Sequence, residues 1–328
     1  MKLKLSVLVP IFFFMVFGAN SQVPLIKPAF KVVGYYSLNA AMTADLKTVP
    51  FDKLTHINLY FLNPDTLGNF TRDFSALAPF IKEAHKKKVK VLFSIAGGGK
   101  HPYYHDLLKD DKRNMLVNNL VSETLKYGLD GVDVDIEGSD IDENYETFVV
   151  ELARSLRLHK KLITAAIAVF YKDVLTDKAL AQYDFVNVMS YDHTGPWAPQ
   201  NPGPHSLYAH AAADLEYFRI ERKIPKEKMV LGVGFYGYGF GPELTSPAVS
   251  MSYGEIVKTF PGAELIDQWY MPGGVIIYYN GISTIKQKTI LAKEKASGIM
   301  IWQVLGDAPG SKSLLKAINE AAYDKKTN

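Results

Sequence analysis

Hydrophobic residues in this chain form short apolar runs that are separated by longer amphipathic stretches. Several of the runs are rich in Val and Ile, a composition typical of strands covered on both faces of a parallel sheet. The runs that predict strands cover residues 31–36, 54–61, 89–95, 131–137, 162–169, 185–191, 229–236 and 298–303.

Helical periodicity fills most of the intervals between these runs. In residues 73–88, for example, Phe74, Leu77 and Ile81 recur on one helical face. Further amphipathic stretches cover residues 111–127, 144–158, 207–222, 283–296 and 312–322. This alternation of strand and helix predicts an α/β fold, specifically a (β/α)8 TIM barrel.

One interval is too long for a single helix. About 60 residues separate the seventh predicted strand from the eighth, which indicates an insertion. Within it, residues 264–270 and 275–279 predict a hairpin around Met271-Pro272-Gly273-Gly274. We therefore expect a small insertion on the barrel between strands 7 and 8, not an independent domain.

The first residues have the pattern of a targeting segment. Lys2 and Lys4 precede an apolar stretch over residues 5–17, and the small residues Ala19 and Ser21 follow it. A membrane anchor is the alternative, but the stretch is shorter than the about 20 residues of a comfortable span, and Pro10 interrupts it. We predict a signal peptide at residues 1–21 and one barrel domain at 22–328.

Composition narrows the functional classes. The formal net charge is only +3, so the chain is not built to bind nucleic acid electrostatically. The chain contains no cysteine and so forms no disulfide, which suits a bacterial secreted enzyme. We expect a monomer without a stable membrane anchor, released to the extracellular or periplasmic space.

The fourth predicted strand carries three acids in strict alternation. Asp133, Asp135 and Glu137 alternate with Val132, Val134 and Ile136, so the acids share one face and point into the barrel. Like charges raise one another's pKa, which can keep one carboxyl protonated as a general acid. A solvent-exposed polar face and a Mg²⁺ or Ca²⁺ site are the alternatives.

The segment Asp130–Glu137 resembles the D-G-x-D-x-D-x-E signature of the family 18 glycoside hydrolases, the chitinase family, in its short single-barrel bacterial form. Other segments resemble family motifs at further strands: Gly34-Tyr35-Tyr36, Met189-Ser190-Tyr191-Asp192, Gly234-Phe235-Tyr236-Gly237 and Ile301-Trp302. The third strand departs from the family pattern, because Ala96 stands where the first glycine of S-x-G-G is expected after Ser94.

The resemblance implies a retaining mechanism in which the substrate's N-acetyl group is the nucleophile. By motif position, Glu137 would protonate the glycosidic oxygen, and Asp135 would hold the acetamide N–H and stabilise the oxazolinium cation. Asp133 would tune the charge of Asp135, and Tyr191 would bind the acetamide oxygen. No cofactor and no metal are implied.

The same resemblance supplies a set of candidate substrate-binding residues. They are Tyr35, Ser94, Met189, Asp192, Trp197, Tyr236 and Trp302. Trp302 would form the floor of the sugar site, whereas Trp269, in the insertion, is expected to have a packing role. Thr164 and Asn187 are expected to join Ser94 in a hydrogen-bond network under the acids. Asp307 would contact substrate or cap the last helix.

The function that follows from these expectations is an endo-acting chitinase that cleaves β-1,4-linked N-acetylglucosamine in a shallow, open cleft. An endo-β-N-acetylglucosaminidase acting on glycoprotein glycans would use the same acids and is the nearest alternative. A non-catalytic chitin-binding lectin is a second alternative. It is disfavoured because Glu137, Asp135 and Tyr191 are all present.

Overall fold

The computed structural model describes residues 30–242 and 249–323. The predicted signal peptide at residues 1–21 lies outside these ranges. Within them, no helix combines the length and the apolarity that a membrane span requires.

Eight parallel strands close into a barrel, which confirms the predicted α/β fold. Numbered along the chain, they are β1 Lys31–Ser37, β2 His56–Tyr60, β3 Lys90–Ala96, β4 Gly131–Asp135, β5 Leu162–Ile167, β6 Phe185–Val188, β7 Met229–Gly234 and β12 Gly298–Trp302. Each strand pairs with its neighbour along the chain, and β12 closes the barrel against β1.

The described ranges contain ten helices: six agree with the predicted stretches to within a few residues, and the four shortest were not predicted. They are α1 Leu38–Thr43, α2 Ala78–Lys86, α3 Tyr103–Leu107, α4 Asp110–Lys126, α5 Tyr145–Leu158, α6 Asp177–Gln182, α7 Tyr208–Ile220, α8 Tyr253–Thr259, α9 Ile282–Lys295 and α10 Leu314–Tyr323. The largest difference is at α2. The Asp73 carboxylate accepts hydrogen bonds from the backbone and hydroxyl of Ser75, and this turn delays the helix.

Two apolar clusters form the core. The larger one lies between the barrel and its helices, where Phe148, Leu152 and Leu156 of α5 are fully buried. Burial of each such side chain contributes about 1.5–3 kcal/mol. The smaller cluster fills the barrel interior and includes Val33 and Met300. The interior is therefore packed, and the polar side chains of the strands meet above this apolar layer.

The insertion is an antiparallel sheet with strand order β10-β11-β8-β9. Its strands are β8 Tyr236–Phe240, β9 Val249–Ser252, β10 Gln268–Tyr270 and β11 Ile276–Tyr278. The predicted hairpin is confirmed by the antiparallel pairing of β10 with β11 and by the hydrogen bond from the Met271 N–H to the Val275 carbonyl at 2.8 Å.

The prediction of the seventh strand was wrong for its last residues. The run at 229–236 divides at Phe235 into β7, which belongs to the barrel, and β8, which belongs to the insertion sheet. Phe235 donates its N–H to the Trp302 carbonyl at 2.7 Å, and its own carbonyl accepts from Tyr253 at 2.9 Å. These bonds satisfy the N–H and carbonyl groups of Phe235 where the chain leaves the barrel. The residue at the change of sheet can therefore be apolar, and the apolar run continues through it.

Candidate active site

The three acids on and after β4 line up along the inside of the barrel. Asp133 and Asp135 are 0% and 2% exposed, and Glu137, just past the strand, is half-buried. The intervening Val132 and Val134 belong to the apolar cluster between barrel and helices. Period-two alternation therefore places the carboxyl groups one above the other toward the mouth of the barrel.

Asp133, the deepest acid, is surrounded by hydrogen-bond donors from four other strands. Tyr35 Oη and Ser94 Oγ donate to its Oδ2 at 2.5 and 2.8 Å. The Thr164 hydroxyl donates to Oδ1, as does Asn187 Nδ2 at 3.4 Å. Burial raises the pKa of Asp133, and the hydrogen bonds from Thr164, Tyr35 and Ser94 oppose that rise.

This donor set also bears on the cation site that the sequence left open. Among the described residues, the hydrogen-bond partners of Asp133 are hydroxyl and amide donors. Donors of this kind suit an ionised carboxylate, which only accepts hydrogen bonds. Across residues 30–242 and 249–323, no group of three or more His, Cys, Asp or Glu side chains is placed to hold a metal ion.

Asp135, the middle acid, has a more strongly raised pKa than Asp133. Burial, followed by the charges of Glu137 and Asp133, raises its pKa well above the ordinary range for an aspartate. The carboxyl groups of Asp135 and Glu137 interact closely enough for each to shift the pKa of the other. A contact between two carboxyl groups needs a proton between them, so the two groups titrate as a pair.

Burial raises the pKa of Glu137 to about 7, an effect to which the charge of Asp192 adds and which the hydrogen bond to Asp135 opposes. A carboxyl group that retains its proton close to neutral pH is suited to general acid catalysis. The site therefore holds Glu137 as an acid poised to donate a proton. Below it lie Asp135 and Asp133, which differ in their hydrogen bonding.

Asp192 follows β6 and is fixed from two sides. The Tyr236 hydroxyl, at the start of β8, donates to Asp192 Oδ1. The Asp192 N–H points to Nδ1 of the buried His205 at 3.4 Å. Its φ of 61° is left-handed, a conformation that aspartate tolerates better than most residues do. Tyr236 and His205 thus hold the Asp192 carboxylate toward Glu137.

A cleft of about 350 Å³ opens above these groups. Five of the predicted site residues line it: Glu137, Met189, Tyr191, Asp192 and Trp197. The other lining residues are Ala168, Phe170 and His193. Trp197 stands at the edge with 61% of its surface exposed. The cleft therefore combines a proton donor with aromatic and apolar walls.

Tyr191 and Met189 both line this cleft, and both are largely buried. The Tyr191 hydroxyl donates to Met300 Sδ at 3.9 Å, a weak acceptor that a better one can replace. Burial, with the charges of Asp135 and Asp192, raises the pKa of Tyr191 well above its usual range. The phenol therefore keeps its proton and remains a donor.

Trp302 ends β12 and belongs to an aromatic cluster at the barrel mouth. Its ring centroid lies 5.4 Å from that of Tyr35, 4.8 Å from Tyr60 and 5.9 Å from Phe61. The sequence analysis did not single out Tyr60 and Phe61. The sequence did contain a signal for these two residues, because two adjacent aromatic residues end the second predicted strand.

Two predicted substrate-binding residues lie beneath the cleft. Tyr35 and Ser94 are 1% and 0% exposed, and both donate to Asp133. The structure thus brings them to the carboxylate at the base of the site, together with Thr164 and Asn187. A direct contact of Tyr35 or Ser94 with substrate stays a prediction.

Two further acids named from the sequence lie outside the site. Asp307 caps α10 by accepting from the N–H groups of Leu314 and Leu315 at 2.7 and 3.1 Å. Asp130, at the start of β4, accepts from the Val91 N–H at 2.8 Å and contacts His85 Nε2 at 2.8 Å. Each joins neighbouring elements of the barrel.

Tyr171 is a residue of this site that the sequence analysis missed. Its hydroxyl is buried without a hydrogen-bond partner among the described residues. Burial, followed by the charges of Glu137 and Asp135, raises its pKa well above the usual range. It follows β5 in a short helical turn whose first residues look apolar, so the sequence carried no separate signal for it.

Comparisons with known proteins agree with this geometry. The model of the glycosyl hydrolases family 18 matches residues 31–307. A chitinase of this family from the chitin utilization locus of Flavobacterium johnsoniae is 34% identical, with a TM-score of 0.79 over 90% of this chain and 94% of that one. A chitinase from Bacteroides thetaiotaomicron is 27% identical, with a TM-score of 0.77 over 92% and 98% of the two chains.

A chitinase-like effector of Moniliophthora roreri is 28% identical over 60% of this chain, and the match spans 55% of the effector. This chain therefore covers little more than half the length of that relative. The family match itself extends from β1 to the turn after β12 and includes every strand of the barrel. The protein belongs to family 18 of the glycosyl hydrolases.

Proposed function

We propose that this protein is a secreted, catalytically active chitinase that cleaves β-1,4-linked N-acetylglucosamine within chains and retains the anomeric configuration. The pair formed by Asp135 and Glu137 carries the proposal. The charge of Glu137 adds to the burial that raises the pKa of Asp135, and burial raises the pKa of Glu137 to about 7 where it lines an open cleft.

The first step uses the proton on Glu137. Glu137 transfers it to the glycosidic oxygen as the bond to the anomeric carbon breaks, and the carbonyl oxygen of the substrate's acetamide bonds to that carbon. The product is a cyclic oxazolinium cation, and the alcohol of the departing sugar leaves with the proton. With the one proton of the Asp135–Glu137 pair on Glu137, Asp135 is an anionic carboxylate beside the developing cation, which is strongly stabilising in a buried site.

Asp135 is placed to supply that stabilisation. Its Oδ1 has no hydrogen-bond partner among the described residues, so it can accept from the acetamide N–H. The Tyr191 phenol, which keeps its proton, can donate to the acetamide oxygen. In the second step water adds to the anomeric carbon, its proton returns to Glu137, and the acetamide is released. Two displacements at one carbon give net retention.

The proposals about the substrate and about secretion are supported by other observations. Trp197, Met189 and Phe170 give the cleft apolar surface for pyranose rings. Two similar solved structures are described as chitinases, one of them from a chitin utilization locus. Export rests on the predicted signal peptide at residues 1–21.

The test is mass spectrometry of the products from a panel of substrates. We expect wild-type protein to cleave N-acetylglucosamine hexamer internally, with the new reducing end in the β configuration by NMR. We expect Glu137→Gln to release no products while still binding the oligomer. Glu143→Gln, which changes an exposed glutamate in the loop after β4, is the matched control and should keep full activity.

Full activity of Glu137→Gln would overturn the assignment. Release of glycans from a high-mannose glycoprotein without cleavage of the hexamer would identify an endo-β-N-acetylglucosaminidase instead. Hexamer binding without any products from wild-type protein would identify a lectin.

A further inference from the structure

The inner face of β5 carries small side chains beside the line of acids on β4. The two strands pair in parallel, with Asp133 opposite Thr164. Because inward positions recur at every second residue, Ala166 and Ala168 follow Thr164 on the same face, and both are buried. Two alanines next to a line of carboxyl groups leave room that another element must fill.

The ring of Tyr171 fills this part of the barrel mouth. Tyr171 ends the short helical turn Val169–Tyr171, which follows β5 directly. It packs against the apolar cluster of the barrel interior, to which Ala166, Ala168 and Tyr191 belong. A large side chain from the turn therefore completes the packing that the strand itself leaves open.

The hydroxyl of Tyr171 is buried without a hydrogen-bond partner among the described residues. Nearby, the buried hydroxyls of Tyr145 and Tyr183 bond to each other at 2.7 Å. A buried polar group without a partner is unfavourable. Burial, followed by the charges of Glu137 and Asp135, raises the pKa of Tyr171 well above its usual range. The hydroxyl therefore keeps its proton and is a donor that lacks an acceptor.

The titratable groups around Glu137 lie on three elements: Asp135 on β4, Tyr171 after β5, and Tyr191, Asp192 and His193 after β6. Carboxylates only accept hydrogen bonds. Nε2 of His193 contacts the carboxylate of Asp214 at 3.2 Å, and the Tyr191 hydroxyl is assigned to the acetamide oxygen of the substrate. Tyr171 is therefore the donor in this group that has no other role in the proposed reaction.

The proposed reaction creates an acceptor for this donor. Before the first step, Glu137 carries the proton that it will transfer to the glycosidic oxygen. After the transfer Glu137 is a carboxylate, and a buried carboxylate is stabilised by each hydrogen bond that it accepts. The free oxygen of Asp135, Oδ1, is assigned to the acetamide N–H, so the new charge on Glu137 is the one that still needs a donor.

We propose that Tyr171 is a positioning residue that donates a hydrogen bond to the carboxylate of Glu137 once Glu137 has given up its proton. The inference rests on the proposed function, because it takes the same proton transfer as its starting point. The bond forms as charge develops on Glu137, so it favours the transition state over the bound substrate. In the second step the bond breaks when Glu137 takes a proton from water.

The test is Tyr171→Phe, which removes the hydroxyl and retains the ring. We expect the turnover number kcat on N-acetylglucosamine hexamer to fall roughly tenfold, as for the loss of one hydrogen bond to a charged group. The Michaelis constant KM should stay unchanged, because the bond is not made to the bound substrate. The basic limb of kcat/KM should move to higher pH, since the ionised form of Glu137 loses a donor. The melting temperature should not fall, because no hydrogen bond of the resting protein is removed.

Tyr279→Phe is the matched control. It removes the hydroxyl of another buried tyrosine, whose Oη donates to the Ala263 carbonyl at 2.8 Å in the insertion. We expect this change to lower the melting temperature, while kcat and the basic limb keep their wild-type values. The two variants thus separate the loss of a bond that holds the fold from the loss of a bond that forms during the reaction.

The titration of Glu137 can also be followed without substrate, by NMR of protein with isotope-labelled glutamate carboxyl carbons, in which Glu137→Gln identifies the signal. We expect a higher titration midpoint in Tyr171→Phe than in wild type. This shift in a protein that never cleaves the hexamer would count against the proposed function alone. An unchanged midpoint and basic limb in Tyr171→Phe would overturn the inference. So would a fall in kcat that comes with a lower melting temperature and an unmoved limb.

Discussion

The side-chain amide of Asn63 makes two hydrogen bonds to the backbone of Ala96, one accepted by Oδ1 from the N–H at 2.5 Å and one donated by Nδ2 to the carbonyl at 3.0 Å. Ala96 ends β3 with a left-handed φ of 64°, a conformation that costs a residue with a Cβ roughly 1–2 kcal/mol. Ala96 is also where the family pattern expects glycine. Asn63 therefore stabilises a backbone turn that glycine would adopt without help.

We expect Asn63→Ala to lower the free energy of unfolding by about 2 kcal/mol, through the loss of the two part-buried hydrogen bonds to Ala96 and of the bond that Asn63 Oδ1 accepts from the Tyr104 hydroxyl at 3.0 Å. In the Ala96→Gly background the same change should cost about 1 kcal/mol less, because glycine adopts a positive φ without strain. Urea unfolding of the four proteins measures this coupling as a double-mutant cycle.

Strict additivity of the two changes would show that Asn63 does not support the turn. Asn118→Ala serves as the control for loss of an asparagine side chain. Its amide donates a hydrogen bond to exposed Asn114 on the surface of α4 and to no other described residue, so this substitution should change stability by less than about 0.5 kcal/mol.

A second prediction concerns the deepest acid. Tyr35→Phe removes the 2.5 Å hydrogen bond to Asp133 Oδ2, and this bond lowers the pKa of Asp133 against the effect of burial. The variant should therefore raise the pKa of Asp133 further. A hydrogen bond to a charged group contributes roughly 1.5–3 kcal/mol, and we expect a loss of stability in this range when Asp133 is ionised.

The sign of the pH dependence follows from linkage. The folded variant binds a proton more readily than the folded wild type, so the loss of stability grows as the pH rises and shrinks in acid. Urea unfolding at about pH 5 and about pH 8 measures the difference. Thr164→Val, which removes the donor to Oδ1, should show the same trend. A loss that is equal at both pH values would contradict it.

Much of this arrangement could be predicted from the sequence, because alternation along β4 determines which way Asp133, Asp135 and Glu137 point. The hydrogen-bond partners of Asp133 could not be predicted in this way. Tyr35 lies on β1, and its contact with Asp133 on β4 depends on the relative heights of strands that are not neighbours in the barrel. Local patterns contain no information about that height.

The insertion shows a second limit. Its hairpin was visible from turn residues, but the pairing of β8 with β11 joins segments that are separated by β9 and α8. The change of sheet at Phe235 was hidden because an apolar run continues through it. The arrangement of the insertion sheet depends on both features and so becomes visible only in the folded chain.

A third prediction concerns the pH dependence of catalysis. Burial raises the pKa of Glu137 to about 7, and the general acid must be protonated to act. The ratio kcat/KM, which reports the free enzyme, should therefore be retained below this pKa and fall as the pH rises through it. Initial rates on N-acetylglucosamine hexamer across the pH range measure the basic limb.

Asp192→Asn tests the electrostatic contribution to this limb. The charge of Asp192 raises the pKa of Glu137, so removal of that charge should move the basic limb of kcat/KM to lower pH. The asparagine oxygen can still accept from the Tyr236 hydroxyl, which preserves the neighbouring contact. A basic limb that stays in place or moves to higher pH would show that Asp192 does not act on Glu137 through its charge.

The last prediction concerns Lys288, a fully buried lysine on α9 whose Nζ donates to the Ser206 carbonyl, Ser206 Oγ and Asn280 Oδ1, each at 2.8 Å. All three acceptors are neutral, and burial lowers the pKa of Lys288 to about 7. Between this pKa and that of an exposed lysine, the unfolded chain binds a proton that the folded protein releases. Stability should therefore rise with pH in this interval, by at most about 1.4 kcal/mol per pH unit.

Lys288→Met removes the titrating group while it retains an unbranched side chain of similar length. We expect its stability to change less with pH than that of wild type between about pH 7 and pH 10, measured by urea unfolding at a series of pH values. Lys286→Met is the control on the same helix, because Lys286 is partly exposed in an ion pair with Glu320, and it should keep the wild-type slope. Parallel slopes for wild type and Lys288→Met would show that the buried amine does not titrate in this range.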